Sequence, residues 1–180
     1  MFETYRLIPH PDAPPREVQS VEVDMDIDIN EIDLHFRVDP REAIVMPPWR
    51  GSNRADRLWE TTCFELFLKP DGGTGYFEIN FSPSGEWAAY RFTGYREGMA
   101  LLELSKEPMI GFFEPEDSDL IGMDLDLLFL PVGKSRMGIS VIIEEHSGHR
   151  SFWALAHGPG EPDFHNEACF ALEVPAANAP

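Results

Sequence analysis

The chain has 180 residues, enough for one hydrophobic core, and 43% of them are hydrophobic, as in an ordinary globular protein. The 32 acidic residues outnumber the 14 basic ones, and the resulting net charge of -18 excludes partners with dense negative charge, namely nucleic acids and anionic membranes. The start of the chain lacks the basic and apolar regions of a secretion signal, and no long apolar run follows. The sequence therefore predicts a cytoplasmic protein without a membrane span.

Short apolar or alternating runs recur along the chain with turn residues between them, whereas helical periodicity is hard to find. In chain order the predicted strands are residues 18–29, 32–38, 43–46, 61–69, 76–81, 86–92, 101–104, 109–113, 123–130, 138–145, 151–157 and 169–174. Evenly spaced short strands predict an all-β fold, a two-sheet antiparallel β-sandwich of jelly-roll or immunoglobulin-like type. We expect a single domain over residues 1–175 and a frayed tail over residues 176–180.

Two loops, residues 47–58 and 158–168, are long for a compact sandwich, and loops of this length are either functional or poorly ordered. The chain has two cysteines, Cys63 and Cys169, which lie far apart in apolar surroundings. We expect buried free thiols, and a disulfide between them remains the alternative.

Alternation predicts that Glu65 points away from the core. In the run 61–69 three large apolar residues share one face, which leaves Glu65 on the other face. Apolar faces must match across a hairpin, and a four-residue connection over residues 71–74 meets this condition. It places Glu65 opposite Asn80 and brings Glu78 to the same outer face.

The following turn, residues 82–85, has the sequence Ser-Pro-Ser-Gly, which is typical of a tight turn. With a two-residue loop, Trp87 lies opposite Asn80 and Arg91 shares its face. Trp59 then lies at the same end of the sheet as this turn. The sequence thus predicts that one face carries Glu65, Glu78, Asn80, Trp87 and Arg91.

The second long loop follows a predicted hairpin over residues 138–157, which turns near residues 146–149. Periodicity does not decide which end of the sheet this loop occupies. If it lies at the end of Trp59, then Phe164 and His165 face Trp59 across an opening.

An aromatic ring bordered by carboxylate, amide and guanidinium groups suits a sugar, because the C–H face of the sugar stacks on the ring and the polar groups bind its hydroxyls. The alternative is structural. Trp59 and Trp87 would then cover a sheet surface, and Glu78 and Arg91 would form an ordinary cross-strand pair.

Six short blocks of sequence occur in order between about residues 55 and 174. They are W-E-x-x-C-F-E-L-F-L from Trp59, F-E-I-N from Phe77, M-G-I-S-V from Met137, S-F-W from Ser151, D-F-H from Asp163 and C-F-A-L from Cys169. Together they resemble the successive blocks of the family 9 carbohydrate-binding modules and of the wider DOMON-like domains. The resemblance implies a β-sandwich whose sugar-binding members hold a terminal sugar between two aromatic rings at one edge.

The resemblance also implies roles for individual residues. Trp59 matches the first ring and Phe164 the approximate position of the second, with His165 next to it. Glu65 and Asn80 match a carboxylate and an amide that bind sugar hydroxyls.

One position departs from the family pattern. The sugar-contacting arginine of the family is replaced here by Glu78, and Arg91 on the neighbouring strand is the expected substitute. We therefore predict a non-catalytic module that binds a small carbohydrate and needs no cofactor or metal. The predicted ligand-binding residues are Trp59, Glu65, Glu78, Asn80, Trp87, Arg91, Phe164 and His165.

Other chemistries stay open. Some DOMON-like domains bind haem, and the possible axial ligands here are Met46, Met99, His157 and His165. Asp163 with the two histidines could hold a metal, and the acidic loop 114–119 could hold a structural calcium ion. Glu65 and Glu78 could form a glycosidase pair. The exposed face could instead bind another protein.

Overall fold

A computed structural model describes residues 1–28, 30–113 and 119–174. These residues form two antiparallel sheets joined by loops and short 3₁₀ helices, so the predicted all-β sandwich is confirmed. Within the same ranges, no helix has the length and apolar character needed to cross a membrane. The predicted frayed tail and most of the acidic loop 114–119 lie outside the described residues.

The described part of the chain forms thirteen strands. In chain order they are β1 (Glu3–Arg6), β2 (Ile8–Pro9), β3 (Ser20–Ile27), β4 (Glu31–Asp39), β5 (Cys63–Pro70), β6 (Tyr76–Phe81), β7 (Trp87–Phe92), β8 (Ala100–Leu101), β9 (Met109–Phe112), β10 (Ile121–Asp126), β11 (Ser135–Glu144), β12 (Arg150–Ala154) and β13 (Leu172–Val174). The first sheet has the order β1, β3, β4, β10, β9. The second has the order β2, β12, β11, β5, β6, β7, β8, with β13 paired to β11.

The main core lies between the two sheets, because strands of both sheets alternate in burial. In β4 every second residue from Ile32 to Val38 is buried, while the residues between them are partly exposed. Phe64 of β5 packs against Phe36 of β4 with a distance of 4.7 Å between ring centroids. The inward residues form one apolar cluster, whose removal from water is the main driving force for folding.

The outer face of the second sheet is also covered, whereas antiparallel sheets commonly leave one face in contact with water. A second apolar cluster lies there, in which the ring of Phe67 stacks on Phe170 and the ring of Tyr76 stacks on Phe92. Phe170 belongs to residues 158–171, which we call the covering segment. This segment closes one part of the outer face and leaves another part open.

Most predicted strands are present with shifted ends, but the predicted strand over residues 43–46 is wrong. Arg41–Ala43 form a 3₁₀ helix, and Ile44 makes an isolated bridge to Glu145. Two prolines follow this segment, and proline cannot donate to a sheet hydrogen bond. Strands β1 and β2 were not predicted because they are short and lack alternating apolar residues.

The predicted register of the β5–β6 hairpin is confirmed. Glu65 pairs with Asn80, and Phe67 pairs with Glu78. Both glutamates therefore lie on the outer face of the second sheet.

The predicted two-residue loop between β6 and β7 is wrong by one residue. The amide of Ser82 donates to the carbonyl of Glu86 at 2.9 Å, which leaves a three-residue loop over residues 83–85. Its last residue, Gly85, has a φ of 84°, the left-handed conformation that ends a three-residue hairpin loop.

The extra loop residue moves two predicted site residues to the inner face of the sheet, since a slip of one residue reverses every side chain of a strand. Trp87 pairs with Phe81 rather than with Asn80, and it lies in the core with 4% of its surface exposed. Arg91 pairs with Phe77 and is exposed at the end of β7. Both assignments to the ligand site are corrected by this register.

The predicted hairpin over residues 138–157 is confirmed as β11 and β12, and the backbone amide of Glu145 donates to the carbonyl oxygen of His149 at its turn. The chain then folds back as the covering segment and passes over Gly138 of β11. A Cβ atom on Gly138 would lie 2.8 Å from the Phe170 ring and 3.0 Å from the carbonyl oxygen of Cys169. Glycine at this position allows the segment to lie directly on the sheet.

We expect Gly138→Ala to lower the free energy of unfolding by roughly 1 to 3 kcal/mol, because the added methyl group would push the covering segment off β11. Gly111→Ala is the matched control, since a Cβ atom on Gly111 meets no atom within 4 Å. Urea unfolding of both variants checks the expectation. Equal stability of the two would contradict the close packing at Gly138.

Candidate functional site

A cavity of about 350 Å³ opens on the outer face of the second sheet, beside the covering segment. Small-molecule sites have volumes of roughly 300 to 1,000 Å³. The residues that line the cavity are Trp59, Glu65, Glu78, Phe92, Arg96, Met99, Ile142, Phe152, Pro162, Phe164 and His165. Aromatic rings thus surround a small group of ionisable side chains.

Trp59 forms one wall and is held by its backbone. It lies in a 3₁₀ helix, Leu58–Glu60, just before β5. The guanidinium group of Arg150, at the start of β12, donates to the carbonyl oxygen of Trp59. The indole ring contacts Tyr90 edge to face, with 6.3 Å between ring centroids, and is half-buried. Part of the ring therefore remains available to a ligand.

The covering segment forms another wall. Phe164 is 7% exposed and packs against Phe152 of β12, with 6.1 Å between ring centroids. His165 packs edge to face against Phe67 and Phe92 at 5.3 Å and 5.2 Å. Packing against three strands fixes the position of this loop over the sheet.

Two buried carboxyl groups lie at the cavity, and each is 4% exposed. The hydroxyl of Ser140 donates to Oε2 of Glu65 at 3.1 Å, and the amide nitrogen of Asn80 donates to Oε1 of Glu78 at 2.8 Å. Burial, together with the negative charge of Glu78, raises the pKa of Glu65 to about 8. Burial also raises the pKa of Glu78 to about 7, although the hydrogen bond from Asn80 opposes the change.

The ring of His165 lies between a hydroxyl group and a carboxyl group. The hydroxyl of Tyr76 lies 2.7 Å from Nδ1 of His165 and accepts a hydrogen bond from the backbone amide of Arg96 at 3.1 Å. In the Nε2–H tautomer of the ring, this hydroxyl donates to Nδ1. Burial, together with the positive charge of Arg96, lowers the pKa of His165 to about 4. A neutral ring that accepts at Nδ1 carries its proton on Nε2, which lies 3.7 Å from Oε2 of Glu78.

Arg96 was not predicted as a site residue. It follows β7 in a loop with a φ of 55°, and its guanidinium group pairs with Asp163 of the covering segment at 2.7 Å. Asp163 also accepts hydrogen bonds from the hydroxyl of Tyr95 and from the backbone amide of His165. One carboxylate thus connects the β7–β8 loop to the covering segment. No strand alternation applies to a loop residue, so the sequence pattern offered no signal for Arg96.

The structure brings five of the eight predicted site residues to the cavity. They are Trp59, Glu65, Glu78, Phe164 and His165. Asn80 is fully buried behind them and contacts Glu78, while its Oδ1 atom has no hydrogen-bond partner among the described residues. Trp87 and Arg91 do not line the cavity, because the register of β7 turns them to the inner face. Trp87 and Glu78 therefore cannot share one protein-docking surface.

The residues considered for haem or metal are spread over different places. Met99 and His165 line the cavity, Met46 is exposed elsewhere, and Nε2 of His157 lies 2.7 Å from the carbonyl oxygen of Ile8. Over the described ranges, no three His, Cys, Asp or Glu side chains are grouped closely enough to hold a metal ion. Both cysteines are buried free thiols.

No protein-family model matches the chain, and no curated protein matches it in sequence. Solved structures that share its fold include a candidate carbohydrate-binding protein from Bacteroides uniformis, with 17% identity and a TM-score of 0.67 over 96% of this chain and 85% of that one. Another is a family 9 carbohydrate-binding module from Caldicellulosiruptor kristjanssonii in complex with glucose, with 14% identity and a TM-score of 0.51 over 90% and 78%. The resemblance to family 9 modules is confirmed for the fold, whereas the DOMON-like assignment stays a prediction.

The buried carboxyl groups make the stability of the fold depend on pH. A carboxyl group whose pKa is raised on folding stabilises the protein at low pH, and this contribution is lost as the pH rises through the folded pKa. His165 acts in the opposite direction, but its pKa of 6.5 in the unfolded chain confines the effect to lower pH. Between pH 6.5 and 8 we expect the free energy of unfolding to fall by on the order of 1 to 2 kcal/mol.

Glu78→Gln should reduce the fall in the free energy of unfolding between pH 6.5 and 8 by more than half. The mutation removes one titrating group and also the charge that raises the pKa of Glu65. Urea unfolding at pH 6.5 and pH 8 measures the difference. Glu103→Gln, at an exposed position, is the control and should keep the wild-type loss. The same loss in Glu78→Gln would show that the pair is not the source of the pH dependence.

Proposed function

We propose that this chain binds a small carbohydrate in the cavity beside Trp59 and does not transform it. The observation that carries the proposal is the composition of the cavity, in which aromatic walls enclose buried polar groups that have unused hydrogen-bonding atoms. Trp59 and Phe164 offer apolar faces to the C–H surface of a sugar ring. Glu65, Glu78 and His165 offer hydrogen bonds to its hydroxyl groups.

The matched structures support this proposal at the level of fold. One is described as a candidate carbohydrate-binding protein, and the other is a family 9 module in complex with glucose. A shared fold at this low identity does not define the ligand. The proposal therefore depends on the residues of the cavity itself.

The arrangement of the carboxyl groups favours binding over glycoside hydrolysis. Glu65 and Glu78 lie on the same face of neighbouring strands, so both approach a ligand from the same side. A glycosidase needs two carboxyl groups that flank the scissile bond. A sugar on this sheet would rest on the pair instead of lying between its members.

We expect Trp59→Ala to weaken the binding of glucose or another bound sugar by at least tenfold, because the mutation removes an aromatic wall of the cavity. Isothermal titration calorimetry with a panel of mono- and oligosaccharides measures the effect. Trp49→Ala is the matched control, since Trp49 is 58% exposed and does not line the cavity. A sugar affinity that survives Trp59→Ala but not Trp49→Ala would place the site elsewhere.

Two arginines allow a second matched comparison. Arg96→Ala should weaken sugar binding, roughly tenfold, because it removes the ion pair that connects the β7–β8 loop to Asp163, next to Phe164. Arg91→Ala should leave the affinity within about twofold of wild type, since Arg91 lies on the other face of the sheet. Calorimetry on the two variants distinguishes them. The reverse order would restore the Arg91 assignment made from the sequence.

A further inference from the structure

The two carboxyl groups of the cavity each have one oxygen atom that no described residue binds. Ser140 occupies Oε2 of Glu65, and Asn80 occupies Oε1 of Glu78. Within the described residues, neither Oε1 of Glu65 nor Oε2 of Glu78 accepts a hydrogen bond, and Nε2 of His165 lies 3.7 Å from the latter. Both free oxygens belong to side chains that line the cavity.

These carboxyl groups also lack a directly paired cation, although the charge of Arg96 acts on both and lowers their pKa values. In the described part of the chain, no lysine or arginine forms an ion pair with Glu65 or Glu78. Arg96 lines the same cavity, but its guanidinium group is engaged by Asp163. Arg150 donates to the carbonyl oxygen of Trp59. Burial disfavours the ionised form of both groups, which retain protons near pH 7, so a cation supplied by the ligand would stabilise the ionised pair and release those protons.

We propose that the cavity selects a sugar with a free, protonated amino group and that this ammonium group binds between Glu65 and Glu78. The inference rests on the proposed carbohydrate-binding function and names the class of sugar. The two carboxyl groups are diagonal neighbours across the β5–β6 pair, with Cβ atoms roughly 7 Å apart, a spacing at which one ammonium group reaches both. An ammonium group has three donors and no acceptor, which matches the two oxygens once the carboxyl groups are ionised and act as acceptors only.

The surroundings of the pair agree with a cationic ligand. Trp59 and Phe92 line the same cavity, and aromatic faces attract cations through the negative charge of their π-systems. The net charge of -18 attracts small cations toward the protein and repels acidic sugars. His165 is neutral at pH 7, and in its Nε2–H tautomer it can donate to a sugar hydroxyl without competing with the ammonium group for the carboxyl groups.

Calorimetry at pH 7 with three matched sugars tests the proposal. Glucosamine carries the free amine, glucose carries a hydroxyl in its place, and N-acetylglucosamine carries an uncharged amide. We expect glucosamine to bind at least tenfold more tightly than glucose and more tightly than N-acetylglucosamine. Glu78→Gln and Glu65→Gln should each bring the ratio of glucosamine to glucose affinity close to one, whereas Glu103→Gln should keep the wild-type ratio.

The outcomes separate this inference from the function on which it rests. Glucose binding that equals or exceeds glucosamine binding would overturn the amine preference and leave carbohydrate binding in place. A preference for glucosamine that persists in both glutamine variants would overturn the placement of the ammonium group. Failure of the wild-type protein to bind any sugar of a broad panel would overturn the proposed function, and the amine preference with it.

Discussion

The cavity depends on how the covering segment lies across the second sheet. Without this segment, the aromatic residues on the outer face of β5, β6 and β7 would be exposed to water. The segment packs over Gly138 at one side, where there is no side chain to hold it away, and is attached at the other side through the ion pair of Asp163 with Arg96. It covers the face at Phe67 and Tyr76 and stops short of Trp59. The part of the face that the segment leaves uncovered is the cavity, so the packing of the covering segment on the sheet also forms the site.

The same cover creates the electrostatic character of the site. Glu65 and Glu78 would be ordinary charged residues on an open sheet face, but beneath Phe164 and His165 they lose most of their contact with water. Desolvation then raises the pKa of both carboxyl groups and lowers the pKa of the histidine. Such an arrangement destabilises the folded protein at neutral pH, and proteins retain buried groups of this kind mainly at functional sites.

The sequence predicted the faces of β5 and β6 correctly because alternation within each strand and the even loop between them leave one solution that buries the apolar residues. The same logic failed at β7. The turn sequence Ser-Pro-Ser-Gly over residues 82–85 is compatible with a two-residue and with a three-residue loop, and the two loops direct Trp87 to opposite faces of the sheet. The left-handed Gly85 distinguishes them in the structure. The position of Phe164 and the role of Arg96 could not be derived, since both depend on loops whose course is set by tertiary packing.

The three-residue loop at residues 83–85 also limits which changes of chain length the fold can accommodate. Deleting or inserting one residue there would reverse β7, which would bring Ala88 and Tyr90 to the interior and expel Trp87 from it. A change of two residues would preserve the direction of every side chain. Length variation at this turn is therefore restricted by parity. The same restriction applies to the turn at residues 146–149, because β12 pairs with β2 and presents Trp153 to the core and Phe152 to the cavity.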